Sequence, residues 1–443
     1  MPYRSKSFVP VSIAVLLLAL AALTISGCSS STKTPVGGGT DPDSTAQWAS
    51  TDFQDATECA SCHPRHYDEW SGSMHAYSLK DPVFAAVRAI GQSMYIGALD
   101  RGCAKCHSAI GSRAGELPWG PFDLNTLEPV VSEGIGCDMC HTIHSITRPS
   151  NGGFELAPSE TKFGTIANPE PTDAHKSGYM PLYADPVYCG SCHDLITDDD
   201  LELEVVFGEW RKGGFALTGK TCNDCHMPAY QAEAAVGGPI RTVHDHRFIG
   251  ADLALIDFPN KPEQFAAVTQ MLQDALVLDA SVPAIVTPGD TLQVAVTVSN
   301  LATGHNVPSG VPFNREMWLS AVVSNVTGDT LFQSGLLDAN LDIIQDPQLV
   351  SYQATMRKAD STVTGATWDA RYLDNPSIKP GEIRPATFVV PIPGIVTGGD
   401  YNVDVKLHFR SFSPALFRDI GLDSLLPIPV IEMQSVTRIT TVS

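Results

Sequence analysis

The sequence predicts a multidomain chain: a mainly α and irregular domain, followed by an all-β, immunoglobulin-like sandwich. Three observations carry that prediction. The 443 residues exceed one comfortable core. Ten of the 11 Cys fall between Cys59 and Cys225. After Gly250 a Cys-free stretch alternates apolar and polar residues between Pro and Gly turns, the pattern of sandwich strands.

Arg4 and Lys6 precede an apolar run from Ile13 to Leu23, the right length for a signal-peptide core and too short to span a bilayer. The run ends at Ile25, Ser26, Gly27 and Cys28, which looks like the lipobox of bacterial lipoproteins and predicts removal of residues 1–27 with acylation of Cys28. Residues 28–50, with Gly37, Gly38 and Gly39 among Ser, Thr and Pro, cannot build a core and are expected to form a flexible tether. The chain is therefore expected to be exported and lipid-anchored. Ser29 is not the acidic residue that holds well-studied lipoproteins at the inner membrane, so an outer-membrane or surface position is expected, otherwise a periplasmic one. A formal net charge of −21 argues against nucleic acid as a partner.

Residues 51–250 hold all ten remaining Cys in five copies of one pattern: Cys59, Cys62, His63; Cys103, Cys106, His107; Cys137, Cys140, His141; Cys189, Cys192, His193; and Cys222, Cys225, His226. Two thiols separated by two residues can form thioethers to the two vinyl groups of one haem, and the adjacent His then reaches its iron. A redox dithiol or a zinc site also uses paired Cys, but neither requires a His directly after the second Cys in every copy. Five haems c are predicted. With short helices and long loops between the motifs, the macrocycles must supply the apolar core of this domain, and haem-free protein is not expected to fold.

Eight further His remain as candidates for the opposite faces of the irons: His66, His75, His144, His175, His244, His246, His305 and His408. In the run from Asn402 to Phe409, His408 falls on the polar face of an alternating strand and is expected to be solvated. His66 sits in a helical stretch just after its own motif, as a surface or haem-edge residue. His144 lies three residues after His141, on the same side of a turn, so it can serve only a neighbouring haem.

Several segments resemble the multihaem cytochromes of the cytochrome c-552/c-554 type, found in ammonia oxidisers and, in longer forms with a β domain, among metal-reducing bacteria. They are Cys59 to His75, with Tyr67, Trp70, Ser73 and Met74; Gly136 to His144; His175 to Tyr179 leading into Tyr188 to Asp194; His244 to Gly250; and Thr303 to Gly310. The resemblance covers roughly residues 55–310. It implies His75, His144, His175, His246 and His305 as distal ligands, with His244 an open alternative to His246.

A connecting segment, residues 251–278, holds an expected helix from Pro262 to Leu278, and residues 279–443 form the sandwich. Leu292, Val294, Val296 and Val298 point one way while Gln293, Ala295, Thr297 and Ser299 point the other, as a half-buried strand requires. Gly304 and Pro308 fix the loop that carries His305 at the sandwich edge. Two functions compete. If two His close every iron, the protein is an electron conduit to redox proteins or extracellular acceptors in anaerobic respiration, and no enzyme. If one iron lacks its distal His, it is an oxidoreductase acting on a small nitrogen or sulfur compound. A third reading extends the first: the sandwich packs subunits into a homo-oligomer or filament.

Overall fold

The computed structural model describes residues 46–94, 98–117 and 122–443. The expected signal peptide, Cys28 and most of the expected tether lie outside the described residues.

Short helices joined by long loops occupy the first half. α1 (Ala56–Ala60) and α2 (Pro64–Ser71) bracket the first motif, α3 (Met74–Tyr77) carries His75, and α4 (Pro82–Met94) leads into α5 (Ala98–His107). The later motifs fall on α6 (Cys137–His141), α7 (Pro186–His193) and, after α8 (Val206–Lys212), α9 (Asn223–His226). Local chemistry starts and stops these helices. Asp55 caps α1 by accepting from the Thr57 N–H at 2.9 Å, and Asp185 caps α7 at Val187 with Pro186 in the first turn. Gly190, between the two Cys of its motif, lets α8 close on α7: a Cβ there would meet the Phe207 ring at 2.5 Å. A hairpin, β1 (Ala229–Glu233) and β2 (Ile240–His244), ends the region.

The connecting helix α10 runs from Lys261 to Ala275, shorter than the sequence pattern implied, because Val277 already begins the alternation of the first sandwich strand. The sandwich strands are β3 (Val277–Ser281), β4 (Ile285–Val286), β5 (Thr291–Ser299), β6 (Glu316–Asn325), β7 (Thr330–Ser334), β8 (Val350–Ser351), β9 (Ile383–Pro391), β10 (Gly399–Arg410) and β11 (Ile431–Val442). One sheet has the order β4-β11-β10-β6-β7, with β8 also on β6; the facing sheet is β9-β5-β3. Between them lie Leu292, Val294, Val296 and Val298 of β5, Phe388 of β9, Leu319 of β6 and Val403, Val405 and Leu407 of β10, all buried, and Val268 and Leu272 of α10 cover one end. The alternation read for β5 and β10 is the one observed.

His408 departs from its expected solvation. On the outer face of β10 it stacks on Trp318 at 5.0 Å, and its Nε2 lies 2.8 Å from the Ser320 hydroxyl. Trp318 donates to the Gly335 carbonyl, and Arg410, ion-paired to Glu316, donates to the Leu341 carbonyl, so the chain from Gly335 to Asp342 covers this end of the sheet. Burial pulls the His408 imidazolium down to about 4. Its folded value lies below its unfolded one, so the stability tied to neutral His408 is present above about pH 6.5 and is lost as pH falls toward 4. Thermal unfolding of the sandwich should shift downward between those pH values, and His408→Gln should flatten that dependence; an unchanged slope in the variant refutes it.

Candidate cofactor sites

A single helical turn assembles each motif. The His63 N–H donates to the Cys59 carbonyl at 2.9 Å and the His226 N–H to the Cys222 carbonyl at 2.9 Å, so first Cys and His stand one turn apart on one side. Backbone carbonyls then hold four of the motif imidazoles by Nδ1: His63 on Ala234 at 2.7 Å, His107 on Ser78 at 3.0 Å, His141 on Phe163 at 2.6 Å and His226 on Ile249 at 2.6 Å. A carbonyl at Nδ1 fixes the tautomer and leaves Nε2 free to ligate.

All ten Cys and all five motif His line one branched cavity of about 2200 Å³, well beyond the size of a single-ligand pocket. Four motif His face a second imidazole across it. Ring centres are 6.2 Å apart for His63 and His175, 6.4 Å for His141 and His246, 6.1 Å for His193 and His75, and 6.2 Å for His226 and His305. Two imidazoles on opposite sides of one metal, each bonded at about 2.0–2.1 Å, stand roughly 6 Å apart between centres. The donor set thus fits four irons held by paired His, each pair joining segments far apart in sequence.

Electrostatics agree with ligation. Burial lowers His75 and His246 to about 3 and His305 to about 4, and also lowers His107, His141 and His193, so these imidazoles are neutral, the form that binds metal. The His75 Nδ1 is buried without a hydrogen-bond partner, an orphan that a metal bond would satisfy. Its backbone is pinned: the Ile135 N–H donates to the His75 carbonyl at 3.0 Å after a turn at Gly134, whose φ of +84° and 2.6 Å clearance to that carbonyl exclude a side chain.

The remaining candidates fall elsewhere. His144 is a correction to the expected ligand set: it is exposed on a short strand, outside the cavity lining, 3.5 Å from Glu155. The pairing of that strand is broken by a bulge between Ile143 and Ser145, and there His144 is exposed while Ile143 is buried against the cavity. His244 lines the cavity with Nδ1 on the Met227 carbonyl, and geometry brings His246, not His244, opposite His141. His66 meets the His246 ring edge-on at 4.7 Å and, with Glu69, lies close around that imidazole. Among the described residues no His faces His107, whose ring stacks on Phe84 at 4.1 Å. Asp81 and Glu204, raised by burial to about 6 and about 7, and the Arg315–Asp252 pair line the cavity nearby. Accordingly His144→Ala should leave the haem count and visible spectrum unchanged, whereas His75→Ala should gain one carbon monoxide-binding haem over wild type; the reverse pattern in difference spectra would restore His144 as a ligand.

Contacts between motifs order the sites. The thiols of Cys59 and Cys137, of Cys106 and Cys192, and of Cys189 and Cys222 lie close enough to shift one another's ionisation. The motif His approach one another in the same way: His141 senses His63, and His193 senses both His226 and His107. The first motif therefore neighbours the third, and the fourth touches the second and fifth, with Cys192 also close to Cys140 of the third. Sequence reasoning had no means to find these adjacencies, nor Tyr183 and Tyr188, whose hydroxyls both donate to the Cys140 carbonyl and brace the third motif.

The sequence profile of a family described as cytochrome c554 and c-prime matches residues 58–142. No curated protein matches the sequence. Among solved structures, a penta-haem cytochrome c552 from Thermochromatium tepidum is 19% identical, covering 87% of this chain and 99% of its own, with a TM-score of 0.63. A CARDB domain of Pyrococcus furiosus covers 38% of this chain and 87% of its own at 12% identity, with a TM-score of 0.18, too slight a likeness to carry an argument.

Proposed function

We propose that this multihaem c-type cytochrome binds five haems c and carries electrons along them as a conduit at the cell surface or in the periplasm. The observation that carries this reading is the set of four facing imidazole pairs, each 6.1–6.4 Å apart and each joining a motif His to a His from another segment. Haem iron closed by two imidazoles exchanges electrons without binding substrate, and lacks the Met that raises potential, which suits low-potential anaerobic respiration. The ligand sets are His63 with His175, His141 with His246, His193 with His75, and His226 with His305. Cys59, Cys62, Cys103, Cys106, Cys137, Cys140, Cys189, Cys192, Cys222 and Cys225 supply the thioethers. The protein's part is to aim each imidazole and, by burial, to keep His75, His141, His193, His246 and His305 neutral.

The adjacencies support a path from the first motif through the third to the fourth, and from there to the fifth, with the second motif as a side branch at the fourth. The lipobox-like Cys28 supports anchoring to the outer membrane, and the acidic surface supports encounters with basic redox partners or extracellular acceptors. A homo-oligomer or filament would extend the same wire. Reductive titration tests the reading: five electrons should enter each chain at low potential, and an uptake of fewer would refute it.

A second reading concerns the haem of Cys103, Cys106 and His107. Because no His faces His107 among the described residues, this one iron is favoured as an open site for a small nitrogen or sulfur compound, fed by the other four. Asp81 and Glu204 would then hold protons beside it. Turnover abolished by His107→Ala, with four low-spin haems retained, supports this; no ligand binding by the wild-type protein removes it.

A further inference from the structure

His305 comes from the sandwich, on the loop after β5, yet its ring faces His226 of the fifth motif. Within that loop the ring and its backbone are fixed: Nδ1 lies 2.8 Å from the Asn306 carbonyl, and the His305 carbonyl accepts from Thr303 Oγ1 at 2.8 Å and from Asn300 Nδ2 at 3.0 Å. What remains is to hold the loop against the first half of the chain. One side chain there does so by polar contact. Glu209, on α8, accepts three hydrogen bonds from the loop: Asn306 Nδ2 at 2.7 Å on Oε1, and the Asn306 N–H at 3.1 Å and Ser309 Oγ at 2.6 Å on Oε2. Packing leaves no slack beside it. A Cβ on Gly304 would stand 2.9 Å from the Phe215 ring and 3.2 Å from Trp210, and one on Gly213 would stand 2.8 Å from the Gly304 carbonyl.

We propose that Glu209 is the positioning residue that holds the sandwich's His305 opposite His226, so that the axial ligation of one haem depends on a carboxylate clamp between the two halves of the chain. The proposal rests on the reading of His305 as a distal ligand. Glu209 touches neither imidazole, and it acts through Asn306 and Ser309, which flank the ligand. A carboxylate suits the task because both oxygens accept, and three donors from one loop converge on it. Alanine leaves all three donors without a partner in a part-buried place and frees the loop to lift. Glutamine presents an NH2 to donors and retains only part of the clamp.

The test compares full-length holoprotein of wild type, Glu209→Ala, Glu209→Gln and His305→Ala, with haem content by mass and carbon monoxide binding by difference spectra. His305→Ala should gain one carbon monoxide-binding haem over wild type. Glu209→Ala should gain a large fraction of the same signal at full haem content, Glu209→Gln a smaller fraction, and added imidazole should return both to low spin. A role confined to stability would lower the unfolding temperature without this signal. If the Glu209 variants match wild type while His305→Ala gains the signal, the clamp is overturned and the ligand reading stands. If His305→Ala gains nothing, the ligand reading itself has failed, and the clamp with it. Should Glu209→Ala not accumulate, Glu209→Gln decides by the same criterion.

Discussion

Replacing Cys189 and Cys192 together by alanine is expected to remove one haem and to cut electron passage between the two ends of the protein to background. The fourth motif is where the others meet. Cys192 lies against Cys106 of the second motif and near Cys140 of the third, and Cys189 lies against Cys222 of the fifth. Its His193 neighbours His226 and His107, while the facing His75 comes from the helix just after the first motif. Among the described residues no other motif has thiols close to those of both the third and the fifth. Without this haem, the first and third retain each other and lose the fifth. Rapid mixing with a limiting reductant, followed by the spectrum of each haem, reads the effect: wild type should equilibrate in one fast phase, and the variant, with one haem fewer by mass, should split into a fast and a very slow phase. Equilibration as fast as wild type would refute the proposed path.

The largest structural effect is expected from haem removal. Residues of the first half form only small apolar clusters, such as Ile110, Val131 and Met139, arranged around a cavity of about 2200 Å³. The sandwich has a continuous apolar core running from Leu253 to Val442, with Ile249, whose carbonyl holds His226, packed against it. Chain made without haem attachment should therefore lose the fold of residues 46–250 as a unit, while the sandwich keeps its own cooperative transition. Hydrogen exchange by mass would show it, as complete loss of protection in the first half against retained protection in β5, β6 and β10. Protection across both halves in haem-free protein would contradict the view that the haems are that domain's core.

How far these sites can be read in the sequence depends on how local the determining physics is. Haem attachment is local: two Cys and a His on one turn declare themselves by spacing, and so do the alternating strands β5 and β10. Distal ligation is not local. His175 and His246 lie 112 and 105 residues from the motif His they face, and no periodicity links such positions; only the resemblance to known cytochromes nominated them. That route failed at His144, where a bulge in a short strand sets the side chain beside Glu155 and outside the cavity lining. His408 shows the same limit for burial. Its strand alternates as expected, but the face called polar is roofed by a chain segment more than sixty residues away in sequence. Glu209 and the carbonyls that hold Nδ1 were invisible for a simpler reason, since any residue supplies a carbonyl and an isolated Glu carries no pattern.

Haem content by mass together with electron paramagnetic resonance, with and without carbon monoxide, reports on all five sites at once. Five haems per chain are expected, with four low-spin irons indifferent to carbon monoxide and the iron of His107 the one that binds it. Fewer than five haems, or a carbon monoxide-binding iron at any of the four imidazole pairs, would contradict that expectation.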